Sequence, residues 1–203
     1  MESERHDRIQ SLRDYKDFLK ADLEAHNISS WTPFLKWTNP ELHFQRCLRL
    51  AEYLGTGKSP IFRMLFQLTR LRLAGLQTRT GISIPPYVFG RGLSIAHFGS
   101  IVVSDKARIG MYCRIHSATN IGEYFGESPV LGNFVYVGPG AVIYGGISLS
   151  DFTAVGANSV VNKSVHHSGT VAGMPAKLIS NSSSLEVMPE WIQQIFTEIQ
   201  KGS

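Results

Sequence analysis

The sequence predicts a mainly β chain, a parallel β-helix of six-residue repeats with a helical cap before it and a short helix after it. Two observations carry this. Ile109, Ile115 and Ile121 stand six residues apart, and after a break the beat resumes at Leu131, Val137, Ile143, Leu149, Val155 and Val161. Glycine is also lopsided, with three in residues 1–80 and sixteen in 81–203, so a helical part gives way to a turn-rich one. A period of six matches neither the ~3.6 residues of a helical turn nor the alternation of a plain strand. It matches a short strand, a turn of about 120° and another short strand, three of which close a triangular coil. The residue four places after a beat is usually small or aliphatic (Cys113, Thr119, Val135, Ala141, Ile147, Thr153, Ser159, Val165).

The elements follow in order. Residues 6–26 read as a polar helix with Ile9, Leu12, Phe18, Leu19 and Leu23 as its apolar content. Trp31 to Trp37 is a turn-rich aromatic stretch. Asn39-Pro40-Glu41 reads as a helix start with Asn as N-cap and Pro at the first helical position, and Gly55 as its end. Ser59-Pro60 opens a third helix, Ile61 to about Leu76, apolar nearly all round with Arg63, Arg70 and Arg72 interspersed. It is expected to be buried against the β-helix or a sister subunit; an interfacial membrane helix is the alternative. Coils begin at Gly81, and Phe89, Ile95 and Val103 extend the ladder backwards. The step from 95 to 103 is eight, a two-residue bulge around His97. The step from 121 to 131 is ten, a four-residue extrusion in Gly122–Leu131. A serine-rich linker (181–184) and a final helix around Pro189–Gln200 close the chain. The expected divisions are 1–80 (helical), 81–180 (β-helix) and 181–203 (linker and helix).

With 43% hydrophobic and 18% charged residues, the chain is globular. The net +4 belongs to residues 1–80, which hold thirteen Lys/Arg against nine Asp/Glu. It is too small to indicate nucleic acid, though it suits an anionic substrate or a membrane surface. Cys47 and Cys113 make no disulfide framework. The highly charged start and the lack of a long apolar run point to a cytoplasmic protein.

Interruptions of a strict repeat are where a stacked fold places its function. Counting the bulge, Ile95 stacks under Ile115, then Val137, then Val155, so His97 and His116 share a column on neighbouring coils. The extruded loop can fold back over them. A neutral imidazole suits removal of a hydroxyl proton as the alcohol attacks an electrophile, and a backbone N–H or loop group could hold the oxyanion. The competing readings are a polar filler for His97 and a surface residue for His116. His166 and His167 read as turn residues. No histidine triplet has metal-ligand spacing, so no metal is expected.

The stretch GRGLSIAHFGSIVV (90–103), followed by ARIGMYCRIHSATNIG (107–122), resembles the serine acetyltransferase family. More narrowly, it resembles that family's O-acetyltransferase relatives of surface-polysaccharide biosynthesis. VGANSVVNKSV (155–165) and VAGMPAK (171–177) resemble the acetyl-CoA-binding end of hexapeptide acyltransferases. The resemblance covers roughly residues 81–180. It implies left-handed β-helices grouped as homotrimers or higher multiples, with acetyl-CoA in the groove between prisms. It makes His97 the catalytic base and Ala157, Asn162, Lys163 and Lys177 the CoA contacts. Three positions depart from the family. Its Asp-Ile-His-Pro segment reads Ser83-Ile84-Pro85-Pro86, the Asp before the base is Ala96, and the loop His-Pro is Ser128-Pro129. Glu123, Glu127 and Asp105 are then the candidates to orient His97. These departures favour a sugar or glycoconjugate hydroxyl as the acetyl acceptor. The alternatives are serine acetylation with a rearranged site and a non-catalytic trimeric scaffold.

Overall fold

The computed structural model describes residues 7–202. Residues 1–6 of the charged opening segment lie outside these, and the first helix starts at Leu12, later than the sequence suggests, because Ser11 caps it. Four helices come first: α1 (Leu12–Glu24), α2 (Leu35–Thr38), α3 (Pro40–Leu54) and α4 (Pro60–Thr80). Ser11 caps α1 through a capping box with Asp14. Asn39 occupies the N-cap position of α3 but makes no capping bond; its amide instead donates to Glu41 Oε1 at 3.4 Å. Gly55 ends α3 in right-handed conformation, φ −66°. Glycine is needed there for space, because a Cβ would lie 1.9 Å from the Tyr87 hydroxyl. α4 runs four residues beyond Leu76 and stops at Gly81, whose φ of 70° is left-handed.

Fourteen short strands follow: β1 (Ile82–Ser83), β2 (Ser94–Ile95), β3 (Ile101–Val103), β4 (Arg108–Ile109), β5 (Arg114–Ile115), β6 (Asn120–Gly122), β7 (Val130–Leu131), β8 (Tyr136–Val137), β9 (Val142–Tyr144), β10 (Ser148–Leu149), β11 (Thr153–Val155), β12 (Val160–Val161), β13 (Gly169–Gly173) and β14 (Ala176–Ser180). They form three faces. The first is β1-β3-β6-β9-β12, the second β4-β7-β10, and the third β2-β5-β8-β11-β13 with β14 at its end. All pairings are parallel except β13 with β14. The register Ile95↔Ile115, Ile115↔Val137, Val137↔Val155 matches the column read from the sequence. The ladder residues point inward: Ile95, Ile109, Ile115, Ile121, Val137, Ile143 and Val155 are all fully buried and form one core. Leu149 and Val161 join it. The step between stacked coils lengthens where residues are inserted, and each insertion leaves at an edge between faces.

Two features close the ends. β13 and β14 form a hairpin over the last coil, where the sequence suggests only a segment after the repeat. At the first coil, Arg49 from α3 is fully buried. Its guanidinium donates to Asp22 Oδ2 (2.9 Å), Glu52 Oε2 (3.0 Å), and the carbonyls of Phe89 (3.0 Å) and Gly90 (2.7 Å). Asp22 accepts from the Leu93 amide and Glu52 from the Tyr87 amide. One side chain therefore ties α1, α3 and the first coil together. A buried charge is tolerable only when paired and fully hydrogen-bonded, and this one is.

α5 (Glu190–Gly202) straps the edge between the second and third faces. There Tyr112, Phe134 and Phe152 take positive φ of 51°, 53° and 61° at equivalent turns. Their rings stack at 5.3 and 5.5 Å, and Phe196 of α5 packs edge-on against the last two. A left-handed non-glycine residue costs roughly 1–2 kcal/mol, which ring stacking and burial offset.

Within a single copy the burial expected for α4 is only partial. Thr69, Leu73, Leu76 and Thr80 are buried, whereas Ile61, Met64, Leu65, Leu68 and Leu71 are exposed. The helix packs on α3 and β1 by one side only. Among the described residues no helix is long and apolar enough to cross a membrane.

Arg49→Met leaves two buried carboxylates without their cation. It is expected to lower unfolding stability by about 3–5 kcal/mol, read from urea denaturation. A loss under about 1 kcal/mol, the value of an exposed ion pair, would show that the cap does not depend on this group.

Candidate active site

The edge between the third and first faces carries His97 and His116. After β2 the chain turns through Ala96–Ser100. Backbone bonds hold this bulge: the Ala96 amide donates to the Ile115 carbonyl at 2.9 Å and the Gly99 amide to the Thr80 carbonyl at 2.9 Å. Two residues beyond the inward-facing Ile95, His97 is exposed, as is Phe98 beside it. His116 follows Ile115 one coil on and is half-buried. The two rings meet edge to face with centroids 6.2 Å apart.

Tyr136 of the next coil packs edge-on against His116 at 5.2 Å. Arg114, two residues before His116, donates to Ser94 Oγ at 2.6 Å. Burial, with the positive charge of Arg114 and then of His97, pushes the His116 pKa down to about 4. Its imidazole is therefore neutral at pH 7 and can offer one donor and one acceptor. Neither Arg114 nor Tyr136 forms a motif in the sequence. Each precedes an inward ladder residue, so the register Ile115↔Val137 is the signal that would place them in the histidine column. His26 also acts here: its Nδ1 lies 2.7 Å from the Asp22 carbonyl and its Nε2 3.2 Å from the Ile95 carbonyl. It fixes the end of α1 to the strand that presents His97.

The extruded loop occupies the next edge, between the first and second faces, and does not fold back over the histidines. It closes on itself through backbone bonds between Tyr124 and Glu127 (2.9 and 3.1 Å). Tyr124 packs edge-on against Tyr144 at 5.5 Å, and Ser128 Oγ lies 3.0 Å from Ser104 Oγ. Glu123 pairs with Lys106 at 2.9 Å, and Asp105 lies in the same column, its carbonyl accepting from Arg108 at 3.0 Å. Among the described residues, none of Asp105, Glu123 and Glu127 is bonded to His97. The physical reason is that a face must be crossed between edges, and an insertion leaves where the chain turns.

The expected CoA contacts divide the same way. Ala157 lies on the histidine edge, after β11. Lys177 is on the terminal hairpin, paired with Ala172. That hairpin packs on the same corner, where the Gly173 amide donates to Ser159 Oγ at 3.1 Å. Asn162 and Lys163 lie on the loop edge, and Asn162 Nδ2 donates to the Tyr144 hydroxyl at 3.4 Å. Ala157, Asn162, Lys163 and Lys177 are all exposed. Among the described residues no group of three or more His, Cys, Asp or Glu could hold a metal.

No family model matches the chain. A Helicobacter pylori serine acetyltransferase is 34% identical over 167 residues, covering 80% of this chain and 92% of that protein. A Synechococcus elongatus serine acetyltransferase is 33% identical over 141 residues, covering 67% of this chain, which spans only 55% of that relative's length. Among solved structures, a serine acetyltransferase in complex with cysteine is 26% identical with a TM-score of 0.66, over 84% of this chain and 72% of that one. Another, in complex with CoA, shares the fold at 23% identity and a TM-score of 0.67, over 84% and 72% of the two chains.

His97→Ala removes one of the positive neighbours of His116, so the His116 pKa is expected to rise from about 4. Histidine-ring NMR titrations of the two proteins check this. An unchanged midpoint would mean that the rings are not electrostatically coupled.

Proposed function

The chain belongs to the serine acetyltransferase family, and we propose that it transfers the acetyl group of acetyl-CoA to a hydroxyl, with His97 as the base. The observation that carries this reading is an exposed imidazole on a braced bulge, 6.2 Å from a second imidazole that is neutral at pH 7. In the proposed step a His97 ring nitrogen takes the hydroxyl proton. The oxygen forms a bond to the thioester carbonyl carbon, giving a tetrahedral oxyanion. Collapse breaks the C–S bond, and the CoA thiolate takes the proton from the His97 imidazolium. Neutral His116 supplies an N–H to the acceptor or to the oxyanion. No acetyl-enzyme is invoked. Both cysteines are buried, and burial pushes the Cys113 thiol up to about 12, so it carries almost no thiolate.

The donor fits the charges present. From Phe152 to Leu185 the sequence has no Asp or Glu, while Lys163, His166, His167 and Lys177 fall within it. An exposed, acid-free end with two lysines suits the phosphates of CoA. Residues 81–180 would then form the acyltransferase unit, 1–80 its cap and 181–203 its strap. Ala157 and Lys177 share the histidine corner but Asn162 and Lys163 stand on the next edge, so one copy alone offers only part of the proposed donor site beside the base. We propose a homotrimer in which the histidine edge of one prism faces the loop edge of the next. A repeated heterologous contact closes such a ring.

L-serine is the first acceptor to expect, since the relatives named above are serine acetyltransferases. A sugar hydroxyl is the second reading, and one observation favours it. Ser83, Ala96 and Ser128 stand where the family's motif has carboxylates and a histidine, and Ser128 is bonded to Ser104. The loss leaves little to bind an amino acid's ammonium group. Release of CoA thiol, measured with acetyl-CoA and either L-serine or a panel of sugars, decides between them. His97→Ala is expected to lower turnover about 10²–10⁴-fold with the true acceptor. Undiminished turnover would remove His97 from the base role.

A further inference from the structure

We propose that α4 docks the protein peripherally on an anionic lipid bilayer. The helix has two unlike sides. Thr69, Leu73, Leu76 and Thr80 face the protein. Turned away are Ile61 (65% exposed), Met64 (57%), Leu65 (39%), Leu68 (56%) and Leu71 (71%). Their spacing of three and four residues puts them on one stripe of the helix surface. A contiguous exposed apolar stripe marks an interaction surface rather than ordinary exposure.

Charge identifies the occupant. The 21 residues of α4 hold Arg63, Arg70, Arg72 and Arg79 and no Asp or Glu. The acid-free stretch is longer still: between Glu52 and Asp105 the sequence has no acidic residue, and Lys58 and Arg91 add to its cations. An apolar stripe beside cations of one sign matches acyl chains beneath lipid phosphates. The arginine stems can lie along the apolar zone while their guanidinium groups reach the headgroups. A second copy meeting this face with its own α4 would set arginines against arginines, with no carboxylate on α4 to pair them. The cap also exposes Trp37 (85%) on α2 and Phe34 (69%) just before it, and tryptophan above all settles at membrane–water interfaces. With no helix among the described residues able to span a bilayer, contact through α4 would be interfacial. The inference rests on α4 and is independent of the reaction proposed for the histidine edge.

Co-sedimentation of the full chain with vesicles tests it. The protein is expected to sediment with phosphatidylcholine vesicles containing phosphatidylglycerol, not with phosphatidylcholine alone, and to be released by added salt. Leu68→Glu, and separately Arg63→Glu with Arg70→Glu, should each lower the bound fraction roughly tenfold with unchanged circular dichroism. Either pair of results supports docking, and having two variants guards against misfolding of one. No sedimentation with anionic vesicles would overturn the proposal. So would a Leu68→Glu protein that keeps vesicle binding but changes its mass by light scattering, which assigns the stripe to a second copy.

Discussion

The inward ladder governs this molecule. Each coil buries one aliphatic residue per face directly beneath its counterpart on the next coil, as in Ile95, Ile115, Val137 and Val155. Parallel backbone bonds join the coils at every strand, so a slip of one residue would turn the whole ladder outward. An insertion can then leave only where the chain turns between faces. The two extra residues around His97 and the four in the extruded loop obey this rule. The same constraint that makes the scaffold rigid also decides which edge each functional side chain occupies.

An open stack of strands exposes unpaired edges at both ends and must be covered. Arg49 secures one cover by binding a carboxylate from each of α1 and α3 and two carbonyls of the first coil. The β13–β14 hairpin supplies the other. The first cover also bears on the site. His26, at the end of α1, lies against the Ile95 carbonyl, and Gly99 is bonded to the last residue of α4. The cap thus braces the bulge that presents His97 from two directions.

Much of this was legible from residue order. The period of six gave the coil, the faces and the column that joins Ile95 to Val155, because inward packing selects side chains at each step. The two departures from that period located His97 and the loop. Direction was harder. An insertion reveals its length but not which way it leans, and the loop's own Tyr124–Glu127 pairing and the Lys106–Glu123 contact hold it at the far edge. α4 shows the limit of apolar patterning. Its residues are hydrophobic on two sides, so periodicity could not separate the side facing α3 from the one facing outward. The hairpin after the repeat and the Tyr136–His116 contact depend on tertiary register and have no local signature.

In the proposed homotrimer, Lys163 and Asn162 from the loop edge of one copy complete the site beside His97 of the next. Mixing His97→Ala protein with Lys163→Glu protein, under conditions that exchange subunits, tests it most directly through acetyl-CoA turnover. Each variant alone should be nearly inactive. If the edges meet between copies, an equal mixture restores intact pairings at about a quarter of interfaces, with activity to match. A mixture no more active than its parts would contradict the account and place the whole site within one chain.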